Sequence, residues 1–171
     1  TDRDEKMAQV MAEIEVDLDL VGVTAIEDKL QNGVPEAIAA MRHGGIKVWV
    51  LTGDKVDTAI NIGYNTGLMR MNHTLLAAVN FSVGDEMDTE ARQRHMKGLL
   101  NTIERTCCSG SHDDDMEAAL VIDGASTSIC LENAEEKALL CQLMAVCKTA
   151  ICNRMTPKQK AALVRLGKNE F

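Results

Sequence analysis

The tripeptide Thr52-Gly53-Asp54 stands where an apolar, β-branched run gives way to a helical pattern. A run that stops at small, turn-forming residues is typical of a parallel strand whose carboxyl end opens onto a helix. The amides of a helix start and a glycine that allows close approach suit a phosphoryl oxygen, and the Thr52 hydroxyl adds a donor. The tripeptide thus indicates a phosphate site, with a plain turn capped by Asp54 as the alternative.

A second group that could do chemistry lies at residues 156–160, at the start of another predicted helix. Thr156 suits a helix cap and Pro157 suits a first turn, so neither residue requires a ligand. Lys158 and Lys160 are different, because ammonium groups in a first turn oppose the helix dipole. Cations there favour an anion at the mouth of the same sheet, and solvent-exposed lysines are the alternative.

Other polar residues give weaker indications of chemistry. Asp123-Gly124 follows an apolar run and is either a carboxylate presented at a strand end, as a nucleophile or Mg²⁺ ligand would be, or a turn. The histidines have no metal-ligand spacing, so surface or helix-end roles are favoured over zinc. They are His43, His73, His95 and His112. No metal site is predicted, and the sequence contains no P-loop, nucleophile elbow or Ser-His-Asp arrangement.

The composition limits the classes of function. A net charge of -8 and a pI near 5.0 disfavour binding to nucleic acid or to an anionic membrane surface. No apolar run approaches the roughly 20 residues that span a bilayer. The chain is 46% hydrophobic but only 2% aromatic, which favours helices packed on a sheet. Six cysteines without a Cys-x-x-Cys pair are predicted to be reduced and mostly structural, with Cys107 and Cys108 the most exposed.

The pattern around the tripeptide predicts the elements that would position it. Residues 3–16 form an amphipathic helical pattern, and residues 18–26 form an apolar, β-branched strand pattern. A helix that begins at Pro35 follows, and then a strand at 46–51. Strand, helix and strand in this order predict a βαβ unit, which requires a parallel pair of strands.

The rest of the chain continues the alternation with one interruption. Further strands are predicted at 75–79, 118–122 and 149–152, and further helices at 54–67, 88–105, 133–146 and 157–168. The alternation lapses between about 69 and 116, so this stretch is interpreted as an insertion, with a solvated loop at 109–115. The count favours an α/β, Rossmann-like fold, in which an open, mostly parallel sheet of four or more strands has helices on both faces.

Several longer runs resemble type IV P-type ATPases, the phospholipid flippases. They include Ala-Ile-Glu-Asp-Lys-Leu-Gln at 25–31, Thr-Gly-Asp-Lys at 52–55 and Ala-Ile-Asn-Ile-Gly at 59–63. Leu-Val-Ile-Asp-Gly at 120–124 and Arg-Met-Thr-Pro-Lys-Gln-Lys at 154–160 continue the resemblance in the expected order. Thr-Gly-Asp and Pro-x-x-Lys are shared by P-type ATPases in general, whereas the first and third runs are particular to the flippase branch.

The resemblance implies a haloacid-dehalogenase-like phosphorylation domain, a three-layer sandwich in which ATP phosphorylates an aspartate and hydrolysis of the acyl phosphate drives lipid movement. It implies that Thr52 and Gly53 bind the phosphoryl oxygens and that Asp54 lies beside the nucleotide and the incoming phosphate. Lys160 would neutralise charge on the phosphoryl group, and Arg154 would lie near the nucleotide. The other lysine of that helix start does not occupy the family's lysine position.

The resemblance also divides the chain. Residues 1–16 would be the last helix of a nucleotide-binding domain, and residues 17–171 an incomplete phosphorylation domain, with a hinge at 27–29 and the insertion at 69–116. ATP and Mg²⁺ are the implied cofactors of the full protein. Its implied partners are phospholipid, the remaining nucleotide-binding, actuator and transmembrane domains, and an accessory subunit, but no nucleic acid. The full protein would be a multi-pass membrane protein with this segment on the cytoplasmic side, and the segment itself would be soluble.

Two motifs of such proteins are absent from the 171 residues. They are Asp-Lys-Thr-Gly-Thr, which carries the phosphorylated aspartate, and Gly-Asp-Gly-x-Asn-Asp, which supplies carboxylates to the Mg²⁺ site. We therefore expect a piece of the enzyme that does not hydrolyse ATP by itself and binds nucleotide no more tightly than millimolar. The other hypothesis is a noncatalytic α/β phosphate-binding or interaction module with no transport parent.

Overall fold

The computed structural model describes residues 2–25, 29–81, 87–107 and 116–170. The helices of these ranges are α1 (Asp2–Ile14), α2 (Val34–His43), α3 (Val56–Asn65), α4 (Thr89–Cys107), α5 (Gly124–Glu132), α6 (Ala134–Val146) and α7 (Pro157–Glu170). The strands are β1 (Val48–Leu51), β2 (Thr74–Val79), β3 (Glu117–Asp123) and β4 (Thr149–Asn153). None of the described helices is both long and apolar enough to cross a bilayer. The predicted loop at 109–115 and two of the three predicted hinge residues lie outside the described ranges.

The four described strands form one all-parallel sheet in the order β1-β4-β3-β2. The inner strand β4 pairs with β1 from Val48 opposite Thr149, and with β3 as far as Asp123 opposite Asn153. Every residue of β4 is buried, whereas every residue of β1 is only half-buried. The sheet confirms the predicted α/β fold class and its parallel strands.

Alternate residues of the inner strands belong to two separate cores. Leu120 and Cys152 lie in the larger core, together with side chains of α4, α5, α6 and α7. Ala119 and Ile151 lie in the smaller core, together with Ala59 of α3. Helices therefore cover both faces of the sheet, as predicted. Burial of each large aliphatic side chain stabilises the fold by about 1.5–3 kcal/mol before the entropy of ordering is subtracted.

The stretch interpreted as an insertion contributes β2 and α4 to the larger core. The strand and the helix predicted within this stretch are confirmed. An ion pair between a half-buried arginine and a buried glutamate helps to hold α4 in place. Glu136, which is completely buried in the first turn of α6, accepts a hydrogen bond from Arg92 Nε at 2.8 Å. Arg92 also donates to the Thr89 hydroxyl at 3.1 Å and to the Met87 carbonyl. The ion pair and the helix start both stabilise the buried carboxylate.

The predicted strand at 18–26 is wrong over its described part, because residues 18–25 have no regular secondary structure. Leu18, Leu20 and Val21 are 72%, 86% and 99% exposed. β-Branched residues favour a strand only where an adjacent strand supplies backbone partners and packing. Since β1 pairs with β4 and not with this segment, the predicted βαβ unit does not form.

The helix predicted at 3–16 is confirmed as α1, but its apolar face is not covered by the described chain. Met7, Val10, Met11 and Ile14 of this face are 42%, 53%, 51% and 69% exposed. The spacing of these residues is enough to predict an amphipathic helix. It carries no information on what the helix packs against.

Three cysteines are buried thiols, in agreement with the predicted structural role. Desolvation by burial raises the pKa of Cys130, Cys147 and Cys152 to about 12, from an ordinary value of 9.0. These thiols are therefore protonated and unreactive near neutral pH. Cys107 is half-buried, and Cys108 lies outside the described residues.

Two glycines in helices offer a matched test of this packing. A Cβ added at Gly63 of α3 would lie 2.6 Å from Met69 Cε and 2.7 Å from Ile151 Cδ1, whereas a Cβ at Gly98 of α4 would meet nothing within 4 Å. We expect Gly63→Ala to lower the free energy of unfolding by about 1–3 kcal/mol, because it overpacks the smaller core. Gly98→Ala should raise it by about 0.5–1 kcal/mol through helix propensity. Urea denaturation of both variants measures the difference, and equal effects would contradict the described packing of α3.

Candidate functional site

The predicted phosphate tripeptide lies at the end of β1, beside the end of β4. The helices that follow these two strands lie on opposite faces of the sheet. Ala59 of α3 shares a core with Ile151, and Leu163 of α7 shares the other core with Cys152. Adjacent parallel strands whose following helices diverge in this way leave a crevice at their carboxyl ends, where open α/β sheets bind their ligands.

Three backbone hydrogen bonds join the loop after β1 to the end of β4 and to the loop that follows β4. Thr52 N–H donates to the Cys152 carbonyl at 2.9 Å, and Met155 N–H donates to the Thr52 carbonyl at 2.9 Å. Arg154 N–H donates to the Asp54 carbonyl at 3.0 Å. Arg154 has a φ of 49°, a left-handed conformation that is uncommon for a residue other than glycine. The two loops therefore form one unit in which a strained residue is held by its neighbours.

The side chains of Thr52 and Asp54 contact each other. The Thr52 hydroxyl donates to Asp54 Oδ2 at 2.5 Å and accepts from Asp54 N–H at 3.1 Å. The prediction that Asp54 caps the next helix is wrong, because the N-cap of α3 is Lys55 and makes no side-chain cap bond. The carboxylate of Asp54 is engaged by the threonine hydroxyl instead.

Neither packing nor backbone conformation within the described chain requires glycine at position 53. A Cβ at Gly53 would be 4.0 Å from the Met155 carbonyl oxygen, which is an ordinary contact distance. Gly53 is also not among the described glycines with a positive φ. The missing side chain thus leaves clear space at the crevice.

The predicted basic helix start is the first turn of α7. Lys160 is half-buried there and donates its N–H to the Thr156 carbonyl at 3.0 Å, whereas Lys158 is exposed. The Met155 bond described above ties the chain immediately before this helix to Thr52. The structure thus brings the loop of Thr52, Gly53 and Asp54 and the helix start that carries Lys160 to the same edge of the sheet.

Arg154 is exposed and lines a cleft of about 210 Å³ at the carboxyl ends of β2, β3 and β4. Asp123 also lines this cleft, but its carboxylate caps α5 by accepting from Ser126 N–H at 2.7 Å. Of the two interpretations of Asp123-Gly124, the plain turn is wrong, because a helix begins at Gly124. The carboxylate has a structural function in that cap.

Gln159, which was not among the residues predicted for the site, links the start of α7 to α5. Its Oε1 accepts from Thr156 N–H at 2.8 Å and from the Thr156 hydroxyl at 2.9 Å, and its Nε2 donates to the Gly124 carbonyl and the Ser128 hydroxyl. The spacing Thr-x-x-Gln is a capping-box signature and predicts the local bonds. No sequence signal identifies the partners in α5, because that helix was not predicted.

Within the described ranges, no three side chains of His, Cys, Asp or Glu lie close enough together to hold a metal ion.

Comparison with known proteins finds relatives along almost the whole chain, although no family model matches it. Over an alignment of 172 positions, the chain is 43% identical to "Probable phospholipid-transporting ATPase 4" of Arabidopsis thaliana. It is 42% identical over 176 residues to a phospholipid-transporting ATPase of Schizosaccharomyces pombe, and 42% identical over 180 residues to "Phospholipid-transporting ATPase DNF1" of Chaetomium thermophilum.

These matches cover 98%, 99% and 98% of the chain. The chain spans only 14%, 13% and 11% of the length of the same three relatives. By sequence, the chain therefore belongs with the phospholipid-transporting ATPases and corresponds to one segment of their length.

Proposed function

We propose that this chain is the part of a phospholipid-transporting P-type ATPase that holds the phosphoryl group while it is transferred from ATP to an aspartate. The observation that carries the proposal is the set of backbone hydrogen bonds at the crevice between β1 and β4. These bonds join the loop of Thr52, Gly53 and Asp54 to the segment that leads into the turn with Lys160. Phosphoryl transfer depends mainly on positioning and charge neutralisation, so rigidly paired loops with donors and a cation suit it.

The proposed roles follow the chemistry of the transfer. The bond between the γ-phosphorus of ATP and the bridging oxygen breaks, a bond forms from phosphorus to a carboxylate oxygen of the acceptor aspartate, and ADP leaves. The Gly53 amide donates a hydrogen bond to the phosphoryl oxygens, and the Lys160 ammonium neutralises their charge. The Thr52 hydroxyl has one proton, which it turns from Asp54 Oδ2 to a phosphoryl oxygen when the phosphoryl group binds. Asp54 holds the Thr52 side chain through the 2.5 Å bond before the phosphoryl group binds, and its N–H keeps donating to the hydroxyl oxygen afterwards. Asp54 also lies beside the nucleotide and the incoming phosphate, and Arg154 contacts the nucleotide. Water later hydrolyses the acyl phosphate.

The acceptor aspartate would come from another part of the full protein, on a strand beside β1. Two observations support this placement. No described strand occupies the outer edge of β1, and β1 is half-buried in a sheet whose inner strands are almost fully buried. An open edge next to a phosphate loop is suited to one more parallel strand, because that strand's carboxyl end would then face the same crevice.

The remaining functions of the full protein are proposed from its relatives. Phospholipid is the transported substrate that their names give, and ATP hydrolysis supplies the energy. When bound, Mg²⁺ would neutralise phosphate charge, with ligands from outside the described residues. The nucleotide-binding, actuator and transmembrane domains and an accessory subunit would be its further partners, and the chain would lie on the cytoplasmic side of the membrane. Residues 1–16 would be the end of the nucleotide-binding domain, and residues 17–171 part of the phosphorylation domain.

The space at Gly53 gives the sharpest test of the phosphate role. We expect Gly53→Ala to change the chain's free energy of unfolding by less than about 0.5 kcal/mol, because the new methyl makes only an ordinary contact. In the full-length ATPase it should slow phosphoenzyme formation by about 10-fold to 100-fold, because the methyl enters space needed by a phosphoryl oxygen. Gly98→Ala, which also adds a methyl, is the matched control and should leave the rate unchanged. If Gly53→Ala forms the phosphoenzyme at the wild-type rate, the tripeptide is not part of the phosphate site.

The two lysines at the start of α7 provide a second comparison. We expect Lys160→Met to slow phosphoenzyme formation by about 100-fold, because it removes a charge that stabilises the transition state. Lys158→Met should stay within about 2-fold of wild type, because that side chain is exposed and lies outside the proposed site. Single-turnover labelling with γ-³²P-ATP measures both rates. Equal losses in the two variants would indicate a general electrostatic effect and contradict the assigned role of Lys160.

A further inference from the structure

The side chain of Gln159 spans two helices at the edge of the crevice. Its Nε2 donates to the Gly124 carbonyl at 2.7 Å and to the Ser128 hydroxyl at 2.9 Å, both in α5. Its Oε1 accepts two bonds from Thr156 at the start of α7. The half-buried amide thus uses its donor and its acceptor atoms, and it joins the first turn of α7 to the first turns of α5.

The contact between α5 and the loop before α7 is also close at the backbone. A Cβ added at Gly124 would lie 2.5 Å from the Arg154 carbonyl oxygen and 2.7 Å from Gln159 Oε1. These distances exclude any side chain at Gly124 without a shift of the loop. The loop between β4 and α7 is therefore held on one side by the bonds to Thr52 and Asp54 and on the other side by α5.

Helix capping alone does not account for this arrangement. A capping box needs only the bond from Thr156 N–H to Gln159 Oε1 and the bond from Gln159 N–H to the Thr156 hydroxyl oxygen. The two Nε2 bonds reach residues that lie 35 and 31 positions earlier in the chain, so they fix the helix start relative to another element. Lys160, the next residue, belongs to the same turn.

We infer that Gln159 is a positioning residue for Lys160. Its hydrogen bonds to α5 fix the position of the Lys160 ammonium relative to the phosphoryl group. This inference rests on the proposed phosphoryl-transfer function. Gln159 touches neither the substrate nor the reacting atoms in this account. It acts by preventing the first turn of α7 from moving away from the loop of Thr52.

The test uses Gln159→Met in the full-length ATPase, because methionine keeps the length of the side chain and removes all four hydrogen bonds. We expect phosphoenzyme formation to slow by about 10-fold, because a displacement of less than an ångström is costly in positioned catalysis. The KM for ATP should stay within about 2-fold, because Gln159 does not contact the nucleotide. Gln142→Met is the matched control, since Gln142 is exposed on α6, and it should leave both quantities unchanged.

The double variant with Lys160→Met separates positioning from a general structural effect. If Gln159 acts through Lys160, adding Gln159→Met to Lys160→Met should slow the single-turnover rate by less than about 2-fold further. A full additional 10-fold loss would assign Gln159 a structural role and overturn the inference. If Gln159→Met matches Gln142→Met while Lys160→Met is slow, the inference fails and the proposed function stands. If Lys160→Met is also unaffected, the proposed function fails with it.

A milder variant keeps the test valid if Gln159→Met does not fold. Ser128→Ala removes one acceptor of the Gln159 amide and leaves the capping bonds in place. We expect it to slow phosphoenzyme formation by about 3-fold, with an unchanged thermal midpoint and an unchanged KM for ATP. A wild-type rate for Ser128→Ala would overturn the inference.

Discussion

Three backbone hydrogen bonds hold the loop after β1 against the end of β4 and the loop that follows it, and the candidate site depends on them. The two strands lie side by side in register, yet the helices that follow them lie on opposite faces of the sheet. This divergence opens the crevice, and the backbone bonds keep its walls together. Without them, the tripeptide and the lysine-bearing turn would be two independent loops.

Local features near these bonds are unfavourable by themselves and consistent with a site for an anion. Arg154 is held in a left-handed conformation, and Lys158 and Lys160 place positive charge at a helix start. A strained backbone conformation and unfavourably placed charges persist only where many surrounding contacts hold them in position. Here the surroundings are buried β4, the bonds to Thr52 and Asp54, and the amide of Gln159. A site already organised before the phosphate arrives loses little free energy in reorganisation during transfer.

Much of the sheet could be predicted from the sequence because β3 and β4 are apolar runs buried on both faces, and such runs have few other uses in an α/β protein. The segment at 18–25 shows the limit of this reasoning. It has the composition of a strand, but a strand exists only with a neighbour, and pairing is not encoded locally. Helix α5 was missed for the opposite reason, since its Ser- and Thr-rich sequence and the Asp-Gly pair at its start are typical of a turn.

The residues of the candidate site likewise include some that the sequence could predict and some that it could not. Thr52, Gly53 and Lys160 could be proposed as site residues from residue type and position, because each stands at a strand end or a helix start, where anions are often bound. The role of Asp54 could not be predicted, since a cap and a partner for Thr52 require the same residue type. The partners of Gln159 could not be predicted either, because they lie more than thirty positions away in α5. Tertiary contacts of that kind are visible only in the folded chain.

The central claim is that the tripeptide loop and the start of α7 bind one phosphoryl anion together. The most direct measurement is a titration of the ¹⁵N-labelled chain with inorganic phosphate, followed through its backbone amide resonances, with sodium chloride at equal ionic strength as the reference. The account predicts that the amides of residues 52–54, 154–156 and 158–160 shift together with one millimolar dissociation constant, and that Lys160→Met weakens the shifts at both loops. Shifts that are reproduced by chloride, or that are confined to one loop and insensitive to Lys160, would contradict it.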